Sequence, residues 1–296
     1  METLPPQRKK STLKKNIELL LKLIITVACF WYISTKINFA QVWQALLKAN
    51  WWLLLVAVSF YAFSKIISAF RLNINFRNIR LHLPEWDNIK LYWLGMYYNL
   101  FLPGAISGDA YKVIILNKTH KAPYKKTSAA VLLDRFSGLL GLGIFLSVYG
   151  VLVLNDPVFK LIVVIGTIFS ILLFYLLIRS FLKEFLAGFI PTFILGILVQ
   201  AIQIICIYCI MQSLQIPLAQ SEWIFIFLAS SVISVLPISL GGGLGTREVV
   251  FAEGARFFHL KPELGIIISL LFYLNNLLSS VWGLYFVFKD PIKKAT

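Results

Sequence analysis

Acidic side chains are scarce in this sequence. Thirteen Asp and Glu stand against 28 Lys and Arg, for a formal net charge of +15. No Asp-x-Asp pair occurs, so the paired carboxylates that seat a metal in many transferases are missing. The three histidines, His82, His120 and His259, are scattered and form no ligand spacing. Cysteines also number three, Cys29, Cys206 and Cys209, all in apolar runs. Cys206 and Cys209 have the C-x-x-C spacing that elsewhere signals redox chemistry or zinc. Their flanks are Ile and Tyr, with no His or acid, and they read as small apolar packing. No Gly-Lys-Ser/Thr follows a glycine run, which argues against a P-loop and against ATP hydrolysis by this chain alone. These absences lead us to expect no catalytic residue, no metal and no cofactor.

What the chain has instead is apolar length. Of its 296 residues 59% are hydrophobic, and the mean hydropathy is +0.80. A membrane span needs roughly 20 apolar residues, since about 30 Å of hydrocarbon is crossed at a 1.5 Å rise per residue. Ile17–Ile33, Trp51–Phe70, Ala129–Leu154, Phe159–Ile178, Phe189–Met211 and Leu264–Phe288 meet or approach that length. They leave no room for a soluble domain, so residues 1–296 read as one all-α, polytopic membrane bundle. The net charge does not point to nucleic acid. Lys and Arg sit in short segments between apolar runs, where the positive-inside rule and anionic headgroups place them.

The basic tail, residues 1–16, precedes the first apolar run with no small-x-small cleavage site after it. The expectation is an uncleaved span with its N-terminus on the cytoplasmic side of the plasma membrane. Phe39, Val42, Trp43, Leu46 and Leu47 recur at helical spacing, as in a short interfacial helix. Trp51–Phe70 returns inward to a loop carrying Arg71, Arg77, Arg80 and Lys90. Residues of about 90–117 are apolar at first, break at Pro103-Gly104 and resume near Ser107, with basic flanks on both sides. That is a re-entrant hairpin, a form tolerated at membrane depth only where it is buried in protein or lines a wet cavity. The pattern recurs over about 222–258, broken from Pro237 to Gly245, and Pro262 opens the last span. The C-terminus then falls on the cytoplasmic side. Six spans with two re-entrant hairpins result, or about eight spans if each hairpin counts as full crossings. The repeated order is that of an inverted-topology repeat, whose site is expected where the broken helices meet.

Three constellations can carry chemistry. In Asn99 to Lys112, Pro103 and Gly104 stop one helix, and Ser107 is placed to cap the next. A half-helix N-terminus there attracts phosphate or carboxylate, although Asp109 can occupy that dipole itself or pair with Lys112. In Leu132 to Gly138, Asp134 and Arg135 sit within a span; Arg135 can snorkel to headgroups but Asp134 is too short to do so. In Ser234 to Glu248, Gly241, Gly242, Gly243 and Gly245 bare backbone amides, Thr246 can cap, and Arg247 brings a fork for phosphate or carboxylate. Each mid-membrane charge costs roughly 2.5–3.5 kcal/mol facing lipid. Asp109, Lys112, Asp134, Arg135, Arg247 and Glu248 must therefore face one another or water. Two readings remain open: an ion-pair network that only locks the helices, and a hydrated substrate path. Asn275 and Asn276 are expected to hydrogen-bond between helices.

These motifs resemble the flippase-like membrane family that includes the N-terminal transmembrane region of lysylphosphatidylglycerol synthases. The residues that carry the resemblance are Asn99, Leu102-Pro103-Gly104, Gly108-Asp109, Asp134-Arg135, Gly138, Leu236-Pro237 and Gly242 through Glu248. In that family Gly-Glu often stands where this chain has Gly108-Asp109, so the acid here is shortened. The resemblance implies two re-entrant elements around a lipid-sized cavity, and movement of aminoacylated phosphatidylglycerol between leaflets. It also implies a free-standing member without an aminoacyl-transferase domain.

The expected function is therefore a lipid translocase or lipid-binding transporter for an anionic or aminoacylated phospholipid, more a transporter than an enzyme. Asn99, Gly104, Ser107, Asp109, Lys112, Asp134, Arg135, Gly242, Gly243, Gly245, Thr246, Arg247 and Glu248 are its candidate headgroup-binding residues. Membrane lipids are the expected partners, with a membrane enzyme as a further candidate and no nucleic acid. The alternatives are a membrane-embedded transferase or accessory subunit acting on a polyprenyl-linked or hopanoid-type lipid, and a non-transporting scaffold.

Overall fold

The computed structural model describes residues 39–101, 107–235, 243–289 and 291–292, together with Leu20, Ile24 and Trp31. The basic tail 1–16, most of the expected first span and the centres of both breaks (102–106 and 236–242) lie outside the described residues. The described residues form helices α1 (Phe39–Lys48), α2 (Trp51–Asn78), α3 (Glu85–Phe101), α4 (Ser107–His120), α5 (Tyr124–Val153) and α6 (Pro157–Phe181). After a 3-10 segment at Lys183–Gly188 come α7 (Phe189–Ser213), α8 (Glu222–Val235), α9 (Thr246–Phe257), α10 (Pro262–Val281) and α11 (Tyr285–Phe288). Among the described residues five stretches are long and apolar enough to cross a membrane: α2, α5, α6, Lys183–Ser213 and Pro262–Phe288. The protein is a polytopic helical membrane bundle.

Local chemistry sets the helix ends. The Asn50 side chain accepts from Trp52 N at 3.1 Å to open α2. Asp156 accepts from Val158 N at 2.7 Å to open α6, with Pro157 at the first helical position, where a missing N–H costs nothing. Four non-glycine residues with positive φ close α2, α4, α7 and α9: Arg80, Lys121, Gln215 and His259. After three of them the next amide reaches back five residues, Leu81 N to Phe76 O, Ile216 N to Met211 O and Leu260 N to Ala255 O. That is the bond of a Schellman stop, made here without glycine.

These stops recur in register. The order span, stop, hairpin, stop, span runs through α2–α5 and again through α7–α10, with α6 between. Asn50 N donates to Ser213 O at 2.9 Å, so the start of α2 meets the end of α7 and these corresponding spans run antiparallel. They pack against each other along their length. The two hairpins, α3/α4 and α8/α9, have arms of 17, 14, 14 and 12 residues. At a 1.5 Å rise these reach about 18–26 Å, less than the roughly 30 Å of hydrocarbon.

Glycine permits the tightest contacts. A Cβ on Gly108 would fall 1.9 Å from Gly95 O, so the α3 and α4 backbones touch at the break. A Cβ on Gly141 of α5 would fall 2.5 Å from the carbonyl carbon of Gly196 on α7. Trp223, Phe227 and Phe251 pack with α7 and α10 into one core, while Phe76, Leu116 and Phe185 belong to another. By contrast α6 leaves Val158, Leu161, Ile165, Ile168 and Phe169 exposed, an apolar face that only lipid or another apolar surface can cover.

The expected inner loop needs correction, since of its four basic residues only Arg80 lies between helices. Arg77 lies inside α2, which continues to Asn78, and Lys90 inside α3. Arg71, assigned above to that loop, also lies inside α2. It is 4% exposed and is held by Asp134 across the bundle. Among the described residues, the basic ones outside the cavity divide unevenly between the two ends. Arg77, Arg80, Lys90, Lys118, Lys121, Lys125, Lys126, Arg179, Lys183 and Lys289 gather, with Glu85 and Asp87, at the end where Lys126 pairs with Glu184 at 2.5 Å. At the other end Lys48, Lys160, Arg256 and Lys261 are accompanied by Asp156, Glu222, Glu253 and Glu263.

Gly141→Leu should lower the midpoint of thermal unfolding in detergent, because backbone must move to admit the side chain at a cost of about 1–3 kcal/mol or more. Gly166→Leu, with nothing within 4 Å of its added Cβ, should leave that midpoint unchanged. Scanning fluorimetry of the two variants side by side checks this.

Candidate functional site

The site is built from both breaks and the spans between them. At the first break the Asn99 side chain accepts from Gly108 N at 2.8 Å, so an amide at the start of α4 is satisfied from the opposite arm. One residue on, Asp109 accepts from Lys112 Nζ at 3.1 Å and forms a second ion pair with Arg135 of α5. Lys112 also lies over the Tyr92 ring, 4.1 Å from its centroid. Asp134, next to Arg135 on α5, accepts from Arg71 Nε at 2.7 Å. Gly138 admits that guanidinium, since a Cβ there would fall 2.8 Å from Arg71 Nη1. Nη1 itself is buried with no hydrogen-bond partner among the described residues.

At the second break Gly243 (φ 104°) and Gly245 (φ 86°) take backbone conformations that side chains disfavour. Gly245 N donates to Glu248 Oε2 at 2.6 Å, and Ser269 Oγ donates to Glu248 Oε1 at 2.8 Å. Thr246 Oγ1 donates to Gly243 O at 3.0 Å. The Arg247 guanidinium lies 4.7 Å from the Phe272 ring centroid, and its Nε is 3.4 Å from Ser234 Oγ. Phe272 meets Tyr61 edge-on at 5.3 Å, and Lys65 Nζ sits 4.6 Å from the Tyr61 centroid. Two cations thus rest on two touching aromatic rings.

The ion pairs, Lys65 and Arg247 open onto one cavity of about 290 Å³. Of the candidates read from sequence, Asn99, Asp109, Lys112, Asp134, Arg135 and Arg247 line it together. Ser107, Gly243, Gly245 and Thr246 are adjacent to the breaks but do not line it. Glu248 does not line it either: it is 1% exposed, with both carboxylate oxygens engaged in the cap and Ser269. The placement of Gly104 and Gly242 lies outside the described residues. Sequence reading missed Lys65 and Arg71, and with them Ser68, Tyr92, Gln200, Gln203 and Ser234. A signal was present: Tyr61, Lys65, Ser68 and Arg71 fall four, three and three residues apart, one polar stripe along an apolar helix. Asn275 donates to Cys206 Sγ at 3.3 Å between helices, whereas Asn276 faces the cavity.

Depth and charge define what the cavity can do. Lys65 is the fifteenth of 28 residues in α2, so about 20 Å of helix separates it from either end. Phe272 is likewise midway along α10, and Arg247 stands beside the second break. Five cations (Lys65, Arg71, Lys112, Arg135 and Arg247) face two carboxylates, Asp109 and Asp134. Among the described residues the carboxylates are committed to Arg71, Lys112 and Arg135, and Lys65 and Arg247 pair with neither. No three of His, Cys, Asp and Glu converge as a metal ion needs, among the described residues.

The family model for the lysylphosphatidylglycerol synthase TM region matches residues 19–283, a stretch holding both hairpins and the whole cavity lining. The chain belongs to that family. No match is found among curated proteins. Membership makes this a lipid-related membrane protein, and the cavity is where a member of the lysylphosphatidylglycerol synthase TM region family presents polar groups at mid-membrane depth.

In this family member the Arg71–Asp134 pair should be a strong stability determinant. Asp134→Leu strands a buried guanidinium and should cost about 3–5 kcal/mol, whereas adding Arg71→Met should recover much of the loss. Thermal unfolding of the single and double variants in detergent measures both.

Proposed function

We propose that the cavity holds the phosphate-bearing headgroup of an anionic membrane lipid midway across the bilayer, and that the protein carries that headgroup between leaflets while the acyl chains stay in hydrocarbon. The observation that carries this reading is the pair Lys65 and Arg247. Two cations at mid-membrane depth with no carboxylate partner among the described residues are costly unless an anion joins them. A protein that used its charges only to lock helices would be expected to close the balance with acids, as Asp134 does for Arg71. Phosphate supplies the missing charge, and guanidinium and ammonium both donate to its oxygens.

The neutral part of the lining supports a polar headgroup. Asn99, Gln200, Gln203, Ser234 and Asn276 offer acceptors and donors to hydroxyls or to an amine. The family description names a synthase of lysylphosphatidylglycerol, so phosphatidylglycerol and its lysyl ester are the first lipids to test. The basic end of the bundle, with Lys118, Lys121, Lys125 and Lys126, is the cytoplasmic one under the positive-inside rule, in a bacterial plasma membrane.

Proteoliposomes carrying fluorescent phosphatidylglycerol or lysylphosphatidylglycerol in one leaflet test the proposal. Protein-dependent leaflet exchange of one of these lipids is expected, falling to near background in Lys65→Met/Arg247→Met and staying unchanged in Lys289→Met. Exchange that survives loss of both cations would refute it. A covalently altered lipid recovered from the vesicles would put a transferase in its place.

A further inference from the structure

A second cavity, of about 480 Å³, lies between α5 and α6. Its α6 wall is Ile162, Val163, Gly166, Thr167, Ser170, Leu173, Phe174 and Leu177, one helical face about 22 Å long at a 1.5 Å rise. That is longer than the roughly 15 Å of hydrocarbon in one leaflet. Gly166 on α6 leaves the space open, since a Cβ there would have nothing within 4 Å, whereas Gly143 on α5 lets Thr167 approach closely. The few hydroxyls in the wall already have partners. Thr167 Oγ1 donates to Gly143 O at 3.0 Å, and Ser170 Oγ donates to Gly166 O at 2.7 Å. The groove therefore presents hydrocarbon, with no polar atom seeking a ligand.

This groove adjoins the cationic cavity. Leu139 lines both, and its α5 neighbours divide between them: Asp134, Arg135, Gly138 and Leu142 face the cavity, while Phe136, Leu140 and Gly143 face the groove. Val232 of α8 closes the groove beside Ser231 and Ser234, which line the cavity. Phe136 and Phe174 meet across the groove with ring centroids 5.7 Å apart.

We propose that the α5/α6 groove seats an acyl chain of the same lipid whose headgroup occupies the cavity, with Leu139 at the junction of head and tail. This rests on the headgroup reading above and adds the route by which the chain leaves the cavity. An amphiphile suits the juxtaposition: a charged pocket at mid-depth opens beside an apolar channel that faces the bilayer.

The test uses full-length protein in nanodiscs containing phosphatidylglycerol with a photoactivatable diazirine on its acyl chain, and maps adducts by peptide mass spectrometry. Adducts should concentrate on residues 136–146 and 162–177. They should fall several-fold in Gly166→Trp, which adds bulk where a Cβ meets nothing within 4 Å, and persist in Ile168→Trp, whose side chain lies on the exposed face of the same helix. They should also fall in Lys65→Met/Arg247→Met. Adducts unchanged by Gly166→Trp, or spread evenly around α6, overturn the groove. If lipid retained through purification is lost in the double cation variant but not in Gly166→Trp, the headgroup reading stands and the groove alone is wrong. Groove adducts that answer to Gly166→Trp but not to the cation variant sever head from tail and overturn the joined site.

Discussion

Charge in a medium without water must be answered from within the protein, and this requirement organises the bundle. Arg71 on α2, Asp134 and Arg135 on α5, and Asp109 and Lys112 on α4 form two linked groups of ion pairs that tie three helices together. A single ion turned to lipid would cost a few kcal/mol, a sizeable part of the stability of an ordinary domain. The pairs therefore set which helix faces point inward. The apolar faces follow by default, and α6, which contributes no charge to the cavity, is left facing lipid.

The ion pairs could not form without the glycines. Gly108 against Gly95 brings the two arms of the first hairpin into backbone contact, which places Asn99 on the amide of Gly108 and leaves Asp109 to face α5. Gly138 makes room for the Arg71 guanidinium beside Asp134, and Gly141 lets α5 lie against α7 at Gly196. Small residues in membrane helices act here as they do in close helix pairs, by allowing backbones near enough for short side chains to reach across. The second break uses glycine differently. Positive φ at Gly243 and Gly245 turns the chain so that Arg247 emerges toward Phe272 and the cavity.

Much of this was readable from composition and spacing, and what was not has a physical cause. Hydropathy located the five spans among the described residues, because 20 apolar residues in a row have few other uses. Gly/Pro clusters located both breaks. Asp109, Lys112, Asp134, Arg135 and Arg247 were visible as charges that lipid would not accept. Arg71 was misplaced because a cation at the end of an apolar run looks like the start of a loop, and its partner lies 63 residues away. Lys65 passed as one basic residue in a long apolar helix. Its importance comes from Arg247 and the two aromatic rings between them, a relation that only tertiary structure supplies. Glu248 looked like a site residue because sequence cannot tell a carboxylate that faces a cavity from one folded back on its own helix.

That last contrast explains how the two hairpins divide their work. Asp109 is the third residue of α4 and Glu248 the third of α9, so they hold corresponding positions in the two halves. Glu has the reach to close a capping box, and Glu248 accepts from Gly245 N. Asp is one methylene shorter, and in the first half the Gly108 amide is satisfied by Asn99 from the other arm. The shortened acid is then free to bind Lys112 and Arg135. In the second half the acid is used up in the cap, and Arg247 meets the cavity with an aromatic face in place of a carboxylate. A single methylene thus separates a hairpin whose cations are neutralised from one whose cation is not. The resulting imbalance lies in the cavity lined by both halves.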